Sequence, residues 1–256
     1  MRFDVVTLFP ELFAPFLEVG ITRRAYSSGQ VQVELTNPRD YASGNYRRVD
    51  DRPFGGGPGM VMMAEPLERA ILDIRAQRGD TAPVILFSPI GVPLNHALVG
   101  HWSASAGAIL VCGRYEGIDQ RFIDKYVDAQ ISLGDFVLSG GELAAMALLD
   151  AVARLQPGVL GDENSHHQDS FNPALDGLLD CPHYTRPEVW EGAPVPSILL
   201  SGHHEHIESW RREQRLTLTA RHRPDVLAAV RDAGNLSAKD ERALSPGTLP
   251  VKNKAL

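Results

Sequence analysis

Cysteine is scarce: Cys112 and Cys181 are the only two in 256 residues, and neither sits in a C-x-x-C pair. That excludes a disulfide framework and a cysteine-held structural metal, and it fits reduced thiols in a cytosolic setting. Long apolar runs are missing as well. No stretch approaches the roughly 18 consecutive apolar residues of a membrane helix, and Met1-Arg2-Phe3-Asp4 leads into a strand-like run instead of a signal peptide. Internal repeats and low-complexity tracts are absent. The formal charge of -7 argues against a surface coated with nucleic acid.

What is present is an ordinary globular composition, 43% apolar and 22% charged, enough for one large domain or two small ones. Short apolar runs at Phe3 to Leu8, Val31 to Leu35, Val84 to Phe87, Ile109 to Cys112 and Gln130 to Leu133 read as strands. Helical patterns lie between most of them. Glu65 to Gln77 carries Pro66 near its start and Leu67, Ala70, Ile71 and Ile74 at helical spacing. Alternating strand and helix predicts an α/β layer with a mostly parallel sheet and a ligand site beyond the carboxyl ends of the strands. This region spans residues 1–160. A polar stretch without periodicity follows at 161–177 and is expected as an interdomain linker. In 178–256, the segments Glu205 to Arg221, Pro224 to Ala233 and Ser237 to Leu244 predict a small helical domain.

Three loops carry the candidate chemistry. Arg52-Pro53-Phe54-Gly55-Gly56-Gly57-Pro58-Gly59-Met60 is on its own equally a flexible surface turn. Val111-Cys112-Gly113-Arg114-Tyr115-Glu116-Gly117-Ile118-Asp119 breaks a buried strand at a glycine; it is either a ligand loop or a turn closed by an Arg114–Glu116 ion pair. Ser132-Leu133-Gly134-Asp135-Phe136-Val137-Leu138-Ser139-Gly140-Gly141-Glu142 opens a helix, with Ser139 and Glu142 at capping-box spacing and Gln156-Pro157-Gly158 as the stop. This loop lacks the Lys-Ser/Thr of a P-loop and the G-x-G-x-x-G spacing, and its nearest charges are acidic, so a nucleoside triphosphate is disfavoured. A neutral or cationic guest held by main-chain groups suits it better.

Together the motifs "DDRPFGGGPGM", "LVCGRYEGID" and "GDFVLSGGE" resemble those of the bacterial tRNA (guanine-N1)-methyltransferases, over nearly the whole chain. The resemblance implies a trefoil-knotted α/β domain of the SPOUT class, with S-adenosylmethionine bound in the knot, followed by a small C-terminal helical domain that binds tRNA. It assigns Leu86, Ser88, Pro89, Gly113, Tyr115 and Glu116 to one side of the cofactor. Leu133, Gly134, Asp135, Phe136, Val137, Leu138, Gly140 and Gly141 fall on the other. It further implies Asp169 as general base for guanine N1, Arg154 as the cation at O6, and a homodimer with active sites shared between subunits. The target it implies is the guanosine 3′ of the anticodon, at position 37. Mg2+ is left open as an aid to the reaction, with no ligands legible. The chain departs from some relatives at Leu86, Phe136 and Ala144, and is a few residues longer after Phe171, which loosens the assignment of Asp180 to the methionine amino group.

Rival readings are a ribose 2′-O-methyltransferase, an RNA-binding protein without catalysis, and a dinucleotide oxidoreductase, the last lacking its fingerprint. His166-His167 and His203-His204-Glu205-His206 do not have H-E-x-x-H spacing and are expected as surface residues rather than a metal site. Trp190 and Trp210 suit either base stacking or packing. Arg211, Arg212, Arg215, Arg221 and Arg223, against the single Glu213, predict a basic face turned outward with Leu216 and Leu218 inward.

Overall fold

The computed structural model describes residues 1–161 and 165–245. The chain divides into two units, Met1–Glu163 and Asn164–Leu256. In order, the first contains β1 (Arg2–Val6), α1 (Phe13–Glu18), α2 (Arg23–Ser27), β2 (Gln32–Thr36), β3 (Asp50–Asp51), β4 (Val61–Met62) and α3 (Ala64–Arg78). It continues with β5 (Val84–Pro93), α4 (His96–Ser103), β6 (Ile109–Val111), α5 (Gln120–Tyr126), β7 (Ala129–Ser132) and α6 (Glu142–Arg154).

The five expected strands form one sheet of order β2-β1-β6-β5-β7, and every neighbouring pair in it is parallel. Successive side chains on a strand face opposite sides, and here both sides are covered. Phe3, Val5, Ile85, Leu110 and Ile131 pack with Val99 and Trp102 of α4 and with Ala145, Leu148 and Val152 of α6. Val6, Val84, Leu86, Ile109 and Val111 pack with Leu67, Ile71 and Ile74 of α3 and Phe122 of α5. Each fully buried aliphatic or aromatic side chain of this kind contributes about 1.5–3 kcal/mol, which is why continuous apolar runs specify the central strands.

Two departures from expectation shape the site. Strand β5 extends past Phe87 to Pro93, but Phe87 and Val92 both pair with Ile131, so Ser88 to Gly91 are looped out of the ladder. Gly91 allows this, since a Cβ there would overlap the backbone of Gln130 and Ile131. The second departure is at α6, whose N-cap is Gly141 with no side-chain cap. Ser139 forms no capping box, because the helix begins two residues later than that spacing requires and Glu142 is its first residue, the carboxylate engaged by Thr7 and Arg114. A capping box does occur at Ser237 and Asp240.

The second unit contains 3-10 turns at Ser165–Gln168 and Pro173–Leu175, then β8 (Val189–Trp190), β9 (Ala193–Pro194), α7 (His204–His222), α8 (Pro224–Asp232) and α9 (Ala238–Ala243). Leu178, Leu216, Leu227 and Val230 form its core. Of the stretch expected as a linker, residues 162–164 lie outside the described residues, and 165–177 carry the two 3-10 turns, with Asn172 and Leu175 buried. Among the described residues no helix is long and apolar enough to cross a membrane.

Candidate functional site

At the carboxyl ends of β5, β6 and β7, three loops enclose a cavity of about 260 Å³. The looped-out Ser88 and Pro89 form one part of its wall, Gly113 to Ile118 a second, and Leu133 to Gly141 a third. All the residues expected to bind the cofactor line this cavity except Asp135. Arg114, Ile118, Ile123, Ile131 and Ala144 line it too. Ile123 has no signal in the sequence as a lining residue because it lies on a helix, where an apolar residue at helical spacing is indistinguishable from core.

Main-chain groups make up much of the wall. The Gly141 amide donates to the Gly113 carbonyl at 3.0 Å, joining the loop after β6 to the start of α6. A Cβ on Gly141 would stand 2.8 Å from Cys112 Cα and 3.2 Å from Gly113 N, and one on Gly140 would overlap Arg114 and Glu142. Tyr115 holds φ +59°, a left-handed conformation uncommon outside glycine, and its ring is half exposed at the cavity.

The charges at this site do not match the simplest local turn. Arg114 pairs with Glu142, 3.0 Å away, instead of Glu116. Its guanidinium also donates to the Ser139 carbonyl at 3.2 Å and lies 4.4 Å from the centroid of the Phe9 ring. Beneath it, burial and the neighbouring Glu142 push the Cys112 thiol well above its usual value, so it stays an unreactive thiol. The Gly-rich loop 52–59 connects the antiparallel pair β3–β4 and does not line the cavity. Its end is tied to the second wall, since the Met60 carbonyl accepts from Glu116 N at 3.0 Å.

Arg154 is the last residue of α6 in the first unit. Asp169 lies in the second unit, just after the 3-10 turn Ser165–Gln168, with its amide donating to the His166 carbonyl at 3.3 Å. The backbone around Asp169 is pinned: Asn172 N donates to its carbonyl, and Phe171 N donates to Leu178 O at 2.9 Å. Asp180 accepts from the Cys181 amide and bonds His183. Partial burial works to raise its carboxyl, but these hydrogen bonds prevail and hold it below its usual value.

The arginine-rich stretch is not an outward basic face. Arg215 is 8% exposed, 3.6 Å from Asp180. Arg212 reaches Asp176 at 2.5 Å and Asp240 at 3.2 Å. Arg211 pairs with Glu208, and Arg223 pairs with Asp225 and lies over the Phe171 ring. Only Arg221 of the five is exposed with no ion-pair partner among the described residues. Carboxylates of α7 itself and of the segments around it, α9 among them, take up four of the five guanidinium groups. Among the described residues no group of three or more His, Cys, Asp or Glu is gathered to hold a metal.

A model of the family described as tRNA (Guanine-1)-methyltransferase TrmD matches residues 1–229. The chain belongs to that family. It is 72% identical over 245 residues to a tRNA (guanine-N(1)-)-methyltransferase of Albidiferax ferrireducens, covering 96% of this chain and 99% of the relative. Proteins of the same name from Paracidovorax citrulli and Bordetella parapertussis are 69% and 57% identical, with 96% of this chain covered in both and 98% and 97% of the relatives. The TrmD match takes in both units up to α8 and includes all three loops of the cavity.

Proposed function

We propose that this TrmD-family chain is a tRNA (guanine-N1)-methyltransferase that takes a methyl group from S-adenosylmethionine and adds it to N1 of the guanosine 3′ of the anticodon, position 37. The observation that carries this reading is the cavity at the strand ends, walled by the family's glycine motifs. Its residues fit the donor. Leu86, Ile118, Ile131 and Ala144 offer an apolar bed for adenine, and the main chain at Gly134, Gly140 and Gly141 allows close approach. Glu116 on the wall suits a cationic guest.

When bound, S-adenosylmethionine supplies an electrophilic methyl group on a sulfonium. Guanine N1 carries a proton that must leave as the new bond forms, and charge gathers on O6. In this reading the Asp169 carboxylate accepts that proton, and the Arg154 guanidinium meets the charge on O6. The pinned backbone on either side of Asp169 supports a base held in one place. The reading further includes what the family resemblance suggests: a trefoil knot of the SPOUT class around the cavity, a cytoplasmic homodimer whose subunits share active sites, and a C-terminal helical domain, 178–256, that binds tRNA. Mg2+ enters it only as an aid to activity.

Purified protein, labelled S-adenosylmethionine and tRNA transcripts test it. Label should enter a transcript with guanosine at position 37 and not one in which that base is replaced, and nucleoside mass spectrometry should find 1-methylguanosine. A 2′-O-methylated product, or no transfer, would refute the reading.

A further inference from the structure

Glu142 is a buried carboxylate to which the methyl-transfer reading gives no task. Its residue is 1% exposed at the first turn of α6, where the positive helix end favours an anion. Three elements meet on it. Thr7, just past β1, donates its hydroxyl to Oε1 at 2.9 Å, and Arg114, just past β6, brings Nε within 3.0 Å of both carboxylate oxygens. The Arg114 hydrogen is directed at Oε1, which leaves Oε2 buried without a hydrogen-bond partner. Arg114 in turn donates to Ser139 O at 3.2 Å, across from its own loop to the opposite wall of the cavity.

A buried carboxylate so placed is costly unless its partners stay put. It therefore does more than close a helix end. Arg114 is held between Glu142, the Phe9 ring and the Ser139 carbonyl, and the absence of a Cβ on Gly140 leaves room for it. We infer that Glu142 is a positioning residue: through Arg114 it fixes the gap between the 113–117 and 133–141 walls, and so sets the affinity for the methyl donor. The inference rests on reading this cavity as the S-adenosylmethionine site. Glu142 itself touches neither donor nor guanine in this account.

The test compares wild type, Glu142→Gln, Arg114→Gln and the double variant. Calorimetry with S-adenosylmethionine gives Kd, steady-state kinetics give KM and kcat, and thermal unfolding is followed alongside. Loss of a buried charge-assisted hydrogen bond predicts a Kd and donor KM raised about tenfold to a hundredfold in Glu142→Gln, with kcat at saturating donor within about threefold. The double variant should be no more than about threefold worse than either single one, because both residues serve one clamp. Multiplying effects in the double variant, or a lowered unfolding midpoint with unchanged KM, would overturn the inference. Should Glu142→Gln not fold, Arg114→Lys takes its place; it keeps a charge for Glu142 but cannot bridge to Ser139 O in the same geometry, and the same rise in KM is expected. An unchanged KM in that variant would also overturn it. Wild-type protein that binds no S-adenosylmethionine refutes the reading of the cavity itself, a result distinct from a variant that binds as well as wild type.

Discussion

Replacing Gly141 with alanine adds one carbon where the main chain has no room for it. The new Cβ would stand 2.8 Å from Cys112 Cα and 3.2 Å from Gly113 N, both backbone atoms just past β6, with Cys112 buried in the core. Neither can yield as the tip of a side chain would. Overpacking of a close-packed site costs about 1–3 kcal/mol. Any shift that relieves the overlap also breaks the Gly141 N to Gly113 O hydrogen bond, worth about 0.5–1.5 kcal/mol more. A loss of roughly 2–4 kcal/mol follows, or about 4–16 °C in the unfolding midpoint for a domain of this size. Donor affinity should fall at least about tenfold, since Gly113 and Gly141 lie on facing walls and move apart together. Calorimetric titration with S-adenosylmethionine and a thermal scan read both effects. Gly100→Ala in α4 is the control: nothing lies within 4 Å of its Cβ, and alanine there should stabilise by about 0.5–1 kcal/mol. A Gly141→Ala protein with its midpoint within about a degree of wild type and unchanged Kd would refute the steric argument.

Arg215→Ala should lower stability by about 1–3 kcal/mol and leave the salt dependence of tRNA binding unchanged, as its guanidinium is buried beside Asp180; Arg221→Ala should instead flatten the log-log salt slope by roughly 0.7–0.9. Filter binding at several salt concentrations separates them. Asp169→Asn should keep donor binding and lose about 10²–10⁴ in single-turnover methyl transfer. Mixing Arg154→Ala chains with Asp169→Ala chains should restore activity in verified heterodimers if the two groups come from different subunits, and activity at the level of either parent refutes sharing. Burial works to raise the Asp240 carboxyl, but the Arg212 guanidinium and the Ser237 amide and hydroxyl overcome it and hold the group below its usual value. A depressed folded-state value stabilises the protein above the unfolded value of about 3.9, and that contribution is lost as pH falls through the folded one. Asp240→Asn should therefore flatten the decline of stability below about pH 4, measured by urea unfolding.

The sheet was legible because its strands are covered on both faces: Val84-Ile85-Leu86-Phe87 and Ile109-Leu110-Val111 are runs with no polar residue to confuse them. Helices α7, α8 and α9 were legible within a residue or two for the complementary reason, a one-sided apolar stripe ended by proline or glycine. What was not legible depends on partners far along the chain. The extension of β5 through Ser88 to Pro93 follows from a register jump against Ile131, which no local pattern records. Ser139 and Glu142 have capping-box spacing, yet the helix starts at Glu142 itself, whose carboxylate turns to Thr7 and Arg114. Arg212 and Arg215 of α7 look free in sequence, because Asp176, Asp180 and Asp240, which pair with them, come from other segments. The cavity's glycines, by contrast, stood out through the family resemblance more than through physics, since a glycine needed for close approach has no local signature apart from a glycine that merely turns.

The bond from Thr7 to Glu142 spans 135 residues of chain. On a ribosome adding about 5–20 residues each second, Thr7 then waits roughly 7–27 s before its acceptor has even been made. Strand β1 also waits for β6 before it has neighbours on both sides, since only β2 is available earlier. Parallel pairing of this kind has high contact order and closes late. The buried Thr7 hydroxyl and the exposed edge of β1 are thus a liability of the nascent chain, and a product terminated before Glu142 would present a half-built sheet to any neighbouring strand.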